Sequence, residues 1–203
     1  MVFLALFVGS GGVADDLRTR ALPLYLVRPI TPFDYFLGKW LVPVLALALH
    51  VLVPGLLLVL LAGAMRPSGE TLSFLAGQVD IVGVLLLHFA VVAVTYSSLV
   101  VLVSTWSRRR VTAIVLGAVL FIGGGIVGAV GQEVRGAAGD FAQACALPLD
   151  GLRILYDGLG DIVPDRGRPP LPSRSAAFGV AAGLFLACAA VVLRRARTSE
   201  VVS

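Results

Sequence analysis

The chain has 203 residues, 58% of them hydrophobic and 14% charged, with a net charge of +4. Soluble domains hold about 25% charged residues, so this much apolar surface cannot hide in one core and lipid must be its solvent. The basic residues, all arginine except Lys39, gather at the ends of apolar runs. That pattern fits the cytosolic loops of a membrane protein better than a nucleic-acid surface, and no nucleic-acid partner is expected.

The first apolar run, 1–13, reaches only about 20 Å against a hydrocarbon core of about 30 Å. It lacks the basic leader of a signal peptide, so a helix whose beginning is missing is expected. Within it, Gly9-Ser10-Gly11-Gly12-Val13-Ala14 has the form G-x-G-x-x-A. A dinucleotide site would need a following helix and a second strand ending in an acid. Pro23 cuts that helix short and the next apolar stretch ends in Arg28, so glycine-rich helix packing is the better reading.

Residues 14–39, ADDLRTRALPLYLVRPITPFDYFLGK, are the longest polar interruption in the N-terminal half. Asp15 and Asp16 are expected to cap or begin a short amphipathic helix through Leu22, which Pro23 breaks. Arg28, preceding Pro29, is forced into extended backbone. Thr31-Pro32-Phe33-Asp34 predicts a helix start, with Thr31 as N-cap, Pro32 at N1 and Asp34 at N3. Phe33, Tyr35, Phe36 and Trp40 predict an aromatic belt at the membrane boundary, with Lys39 snorkelling beside it.

The second span, 40–64, contains Pro43 and Pro54, with His50 near its middle. An ionisable group at that depth is either a functional group or a neutral packing histidine. After a short loop, the third span, 80–106, is the most polar. His88, Thr95 and Ser98 fall near one helical face, which either lines a pathway or glues helices together. Arg108, Arg109 and Arg110 mark a cytosolic turn. The fourth span, 111–130, holds a G-x-x-x-G at Gly124 and Gly128, where close approach by a second copy or by this chain is expected. Residues 131–175 form a long external segment of short helices broken at Pro148. Asp150 and Asp157 lie seven apart with no companion catalytic group and read as solvated loop charges. The last span, 176–193, repeats the glycine spacing at Gly179 and Gly183 and is stopped by Arg194, Arg195 and Arg197. Cys145 and Cys188 fall at different depths, which argues against a disulfide. Two histidines and two cysteines far apart give no metal site.

An external N-terminus puts Arg18, Arg20, Arg28, Lys39, Arg108, Arg109, Arg110, Arg194, Arg195 and Arg197 inside, against only Arg66 in a short outer loop. That bias decides the orientation, with the C-terminus cytoplasmic. The expected fold is an all-α, polytopic membrane helix bundle of about five spans in one domain.

Asp15, Asp16, Arg18, Leu24, Tyr25, Leu26, Arg28, Pro29, Asp34, Tyr35, Gly38 and Lys39 carry a resemblance. In order and character they resemble the permease subunits of ABC-2 type transporters, and the pattern of spans and loops extends the likeness over the chain. Family members typically have six spans, one more than this chain has room for. The resemblance implies that residues 14–39 act as a coupling elbow touching a separate cytosolic ABC ATPase, through Arg18, Arg20, Leu24, Tyr25, Leu26, Arg28, Asp34 and Lys39. It implies a second permease copy or homologue, a bacterial inner (plasma) membrane, and export rather than import. His50, His88, Thr95 and Ser98 become pathway candidates. ATP and Mg would be bound by the partner, with no cofactor in this chain. No Walker sequence is present, since Gly38-Lys39 is followed by Trp40 and Phe33 stands where the first glycine belongs. No Ser-His-Asp, zincin or kinase pattern occurs either, so no catalysis is expected of the chain itself. Two alternatives stay open: a membrane scaffold that docks a partner without transport, and an intramembrane enzyme using His50 and His88.

Overall fold

Thr31 opens the second helix as its sequence dictates. Its hydroxyl accepts from the Asp34 backbone N–H at 3.2 Å, the Asp34 carboxylate accepts from the Thr31 backbone N–H at 3.0 Å, and Pro32 stands at N1. This reciprocal box satisfies amides that a helix start would otherwise leave unpaired. The structure is a computed structural model that describes residues 2–19, 31–67, 69–107, 109–134, 136–158 and 171–200. In chain order the helices are α1 (Val2–Thr19), α2 (Pro32–Leu47), α3 (Val53–Ala64), α4 (Thr71–Gly77), α5 (Val79–Trp106), α6 (Arg110–Gly131), α7 (Ala137–Ala144), α8 (Leu147–Gly158) and α9 (Arg174–Glu200). No strand occurs among the described residues.

Among the described residues, four helical stretches are long and apolar enough to cross a membrane: Pro32–Ala64, Val79–Trp106, Arg110–Gly131 and Arg174–Arg195. The first joins α2 to α3 through a widened turn, Ala48–Leu52, where the Val53 N–H bonds the Ala48 carbonyl five residues back. Pro54 has no N–H to offer the His50 carbonyl and its ring crowds that oxygen, which accounts for the widening.

α5 lies at the centre and α1 packs along it. The buried side of α1 reads Ala5, Leu6, Ser10, Val13 and Ala14, spaced by three and four as one helical face requires. Gly9 belongs to this packing and not to a phosphate loop. A Cβ there would lie 2.7 Å from Val100 Cγ1 and 3.3 Å from Pro43. Ser104 pins the two helices, donating to the Ser10 carbonyl at 2.8 Å and accepting from the Ala14 N–H at 2.9 Å. α1 does not stop at residue 13. It runs through Asp15 and Asp16 to Thr19, because nothing before Pro23 breaks it. Residues 14–19 of the expected elbow are therefore the end of α1, and residues 32–39 are the start of α2.

The short helices expected around Pro148 form as α7 and α8, and they pack on the bundle. α7 and α8 form a helical hairpin that folds back against α5, α6 and α9. Its tip, Cys145 and Ala146, rests on Gly124 and Gly128 of α6. Gly124 lies seven residues inside the end of α6, about 10 Å at 1.5 Å per residue. Gln143 Nε2, two residues before the tip, donates to the Gly131 carbonyl at 3.2 Å and ties the hairpin to the end of α6.

Candidate coupling face

The end of α1, the start of α2, the end of α5, the start of α6 and the end of α9 meet at one end of the bundle. Asp16 shows why the first two stay together. It is 8% exposed, and its Oδ2 accepts from the Tyr35 hydroxyl at 2.8 Å and pairs with Lys39 Nζ at 2.7 Å. Lys39 Nζ also lies 5.6 Å from the Tyr35 ring centroid. A carboxylate this buried needs such partners, since an uncompensated charge there costs several kcal/mol. The same end holds Arg110, whose guanidinium donates to the Phe7 carbonyl at 2.5 Å and stacks 4.4 Å from the Phe7 ring centroid. Arg195 donates to the Thr105 carbonyl and ties α9 to α5.

Arg18 and Asp15 stand exposed beside this junction, 3.7 Å apart. With Arg109, Arg110 and Val111 they line a cleft of about 580 Å³. Among the described residues this end carries Arg18, Lys39, Arg109, Arg110, Arg194 and Arg195 against Asp15, Asp16 and Asp34. Such a face attracts acidic protein surfaces or anionic head groups.

Of the expected coupling residues, Arg18, Asp34 and Lys39 lie here. Arg20, Leu24, Tyr25, Leu26 and Arg28 lie outside the described residues. The Asp34 carboxylate is engaged by Thr31, where it caps the helix. The belt reading fails for Tyr35 and Phe36, which are 7% and 0% exposed. They point inward because that face of α2 meets α1 and α9, with Phe36 5.8 Å from Phe185 between ring centroids. Phe33 does face outward.

His88, Thr95 and Ser98 share the buried side of α5. Thr95 donates to the Val91 carbonyl at 2.6 Å, and Ser98 accepts from Trp40 Nε1 at 3.0 Å. His50 is apart from them, exposed on the widened turn. Gly124 and Gly128 are taken by this chain's own hairpin, so they are not free for a second copy. Gly179 and Gly183 remain open, with nothing within 4 Å of a Cβ placed on either. They line an apolar groove of about 620 Å³ with Gly123, Leu147 and Leu184.

The solvated-loop reading of Asp150 and Asp157 is overturned for Asp150. It is 0% exposed, and neither carboxylate oxygen has a hydrogen-bond partner. The signal was available: Leu147, Asp150 and Ile154 fall on one face of α8, at i, i+3 and i+7. Asp157, at the rim, pairs with Arg153 at 2.9 Å and Arg174 at 2.6 Å. Ser104 was missed as well, since nothing local distinguishes it from the other hydroxyls of α5.

No protein-family model, curated protein or solved structure matches the chain.

Proposed function

We propose that this chain is the membrane-spanning permease subunit of an ATP-driven ABC-2 type exporter, working with a separate cytosolic ATPase and a second permease copy or homologue. The observation that supports this reading is the Asp16–Tyr35–Lys39 clasp. It locks the last turn of α1 to the first turns of α2, on either side of residues 20–30. A force applied to that intervening stretch reaches both helices at once, and both pack on α5. In this reading the basic end faces the cytoplasm of a bacterial inner membrane, the C-terminus included. Arg18, Arg20 and Arg28 hold the elbow at acidic ATPase grooves or anionic lipid, while Leu24, Tyr25 and Leu26 make the apolar contact.

The test is the triple substitution of Leu24, Tyr25 and Leu26 by Ala, reconstituted with the cytosolic ABC ATPase proposed as its partner. The expected result is normal insertion with loss of permease-stimulated ATP hydrolysis. Unchanged stimulation overturns the assignment. A scaffold that docks a partner without transport is the second reading. It is favoured by the packing of His88, Thr95 and Ser98 against neighbouring helices. Full function in ATP-depleted vesicles would select it.

A further inference from the structure

The α7–α8 hairpin presents a buried carboxylate that the coupling reading does not use. Asp150 is 0% exposed, yet both its oxygens lack a hydrogen-bond partner. Among the described residues, the neighbouring cations turn to Asp157. Arg153, one turn along α8, pairs with Asp157, and so does Arg174 of α9. From α5 the Tyr96 side chain faces it, and from the hairpin tip the Cys145 thiol does. The other titratable groups of α5 are Asp80 and His88, and α7 brings Asp140; the α6 stretch 111–131 brings none, and α9 between Arg174 and Arg194 brings only Cys188. A bare carboxylate in such a place must shed its charge or leave.

We propose that Asp150 is a proton-binding site: with its proton it seats the α7–α8 hairpin among α5, α6 and α9, and loss of the proton to water drives the hairpin outward.

Three observations agree. The hairpin tip lies in close contact with Gly124 and Gly128. Leu147 and Ile154, which flank Asp150 on α8, are buried with it, and the two charged side chains near that face, Arg153 and Asp157, pair with each other. Burial alone pushes the Asp150 carboxyl up to about 8. The seated hairpin therefore binds the proton more tightly than an exposed one, whose carboxyl titrates at about 4. Raising the pH between those values weakens seating by up to about tenfold per pH unit, and no further loss follows above about 8. The inference needs only the helix bundle and stands apart from the transport reading.

Cys145 is a native reporter at the hairpin tip. In protein carrying Cys188→Ala it is the only thiol, because the chain has two cysteines. The experiment measures maleimide labelling of Cys145 in lipid nanodiscs from pH 5 to 9, with Asp150 and with Asp150→Asn. The ratio of the two rates removes the ordinary rise in thiolate. The expected ratio climbs at least tenfold between pH 6 and pH 8 and then levels. Burial pushes the Cys145 thiol up and ionised Asp150 pushes it further, so electrostatics without movement makes the ratio fall. A flat or falling ratio overturns the proposal. If Asp150→Asn fails to fold, the infrared band of a protonated carboxyl decides the matter in the unsubstituted chain. It should be present at pH 6 and gone by pH 9, and its absence at pH 6 is equally fatal.

Discussion

Gly124→Val is expected to unseat the hairpin and to destabilise the chain strongly. The added Cβ would overlap the Cys145 carbonyl oxygen, a backbone atom that cannot rotate aside as a side chain would. Overpacking of a close contact typically costs about 1–3 kcal/mol, and a fixed backbone obstacle belongs at the upper end. Gly128→Val should follow closely, because its Cβ would overlap that of Ala146 and lie 3.5 Å from the Gln143 carbonyl oxygen. Both variants should lower the melting temperature in detergent and raise Cys145 labelling at every pH. Gly179→Leu and Gly183→Leu are the controls. Nothing lies within 4 Å of a Cβ on either, so the stability of the single chain should change by no more than about 0.5 kcal/mol. If Gly124→Val matched Gly179→Leu, the hairpin would not rest where it is described.

These glycines show how far the sequence could be read. The G-x-x-x-G spacing at Gly124 and Gly128 signals close approach, because only a missing side chain lets backbones meet there. It cannot say what approaches. The partner is residues 142–146, and that pairing is a tertiary choice with no local trace. A Cβ on either of the two other glycines of the same spacing, Gly179 and Gly183, would meet nothing within 4 Å among the described residues. The start of α2 was legible down to single hydrogen bonds, because an N-cap is decided within four residues. The inward turn of Tyr35 and Phe36 was not, since their composition suits a membrane boundary and only the position of α9 draws them inside. The four apolar spans were legible from length and hydropathy alone. The basic end was legible as a charge bias, whereas the Asp16 clasp within it joins residues 19 and 23 positions apart. The centre of the elbow, Leu24, Tyr25 and Leu26, lies outside the described residues.

Asp16→Ala should produce the second large effect, and its cycle with Lys39 separates structure from coupling. Removing Asp16 deprives Lys39 Nζ of a carboxylate oxygen at 2.7 Å and the Tyr35 hydroxyl of its acceptor at 2.8 Å. Breaking a fully buried pair from one side costs about 3–5 kcal/mol. The Lys39 side chain is 24% exposed, so water recovers part of that loss, and about 2–3 kcal/mol is expected here. Tyr35→Phe should cost about 1 kcal/mol, the net worth of one hydrogen bond. Asp16→Leu combined with Lys39→Met removes both charges together and should recover most of the stability, as apolar replacement of an ion pair often does. The double variant is the informative one for function. It keeps α1 and α2 packed through Val13 and Phe36 but deletes the polar clasp across residues 20–30. If the clasp transmits force as proposed, this stable protein should insert normally and bind the proposed ATPase partner, yet stimulate ATP hydrolysis several-fold less than the unsubstituted chain. Full stimulation with normal stability would confine Asp16 and Lys39 to a folding role, and the coupling would then have to pass through the apolar contact between α1 and α2.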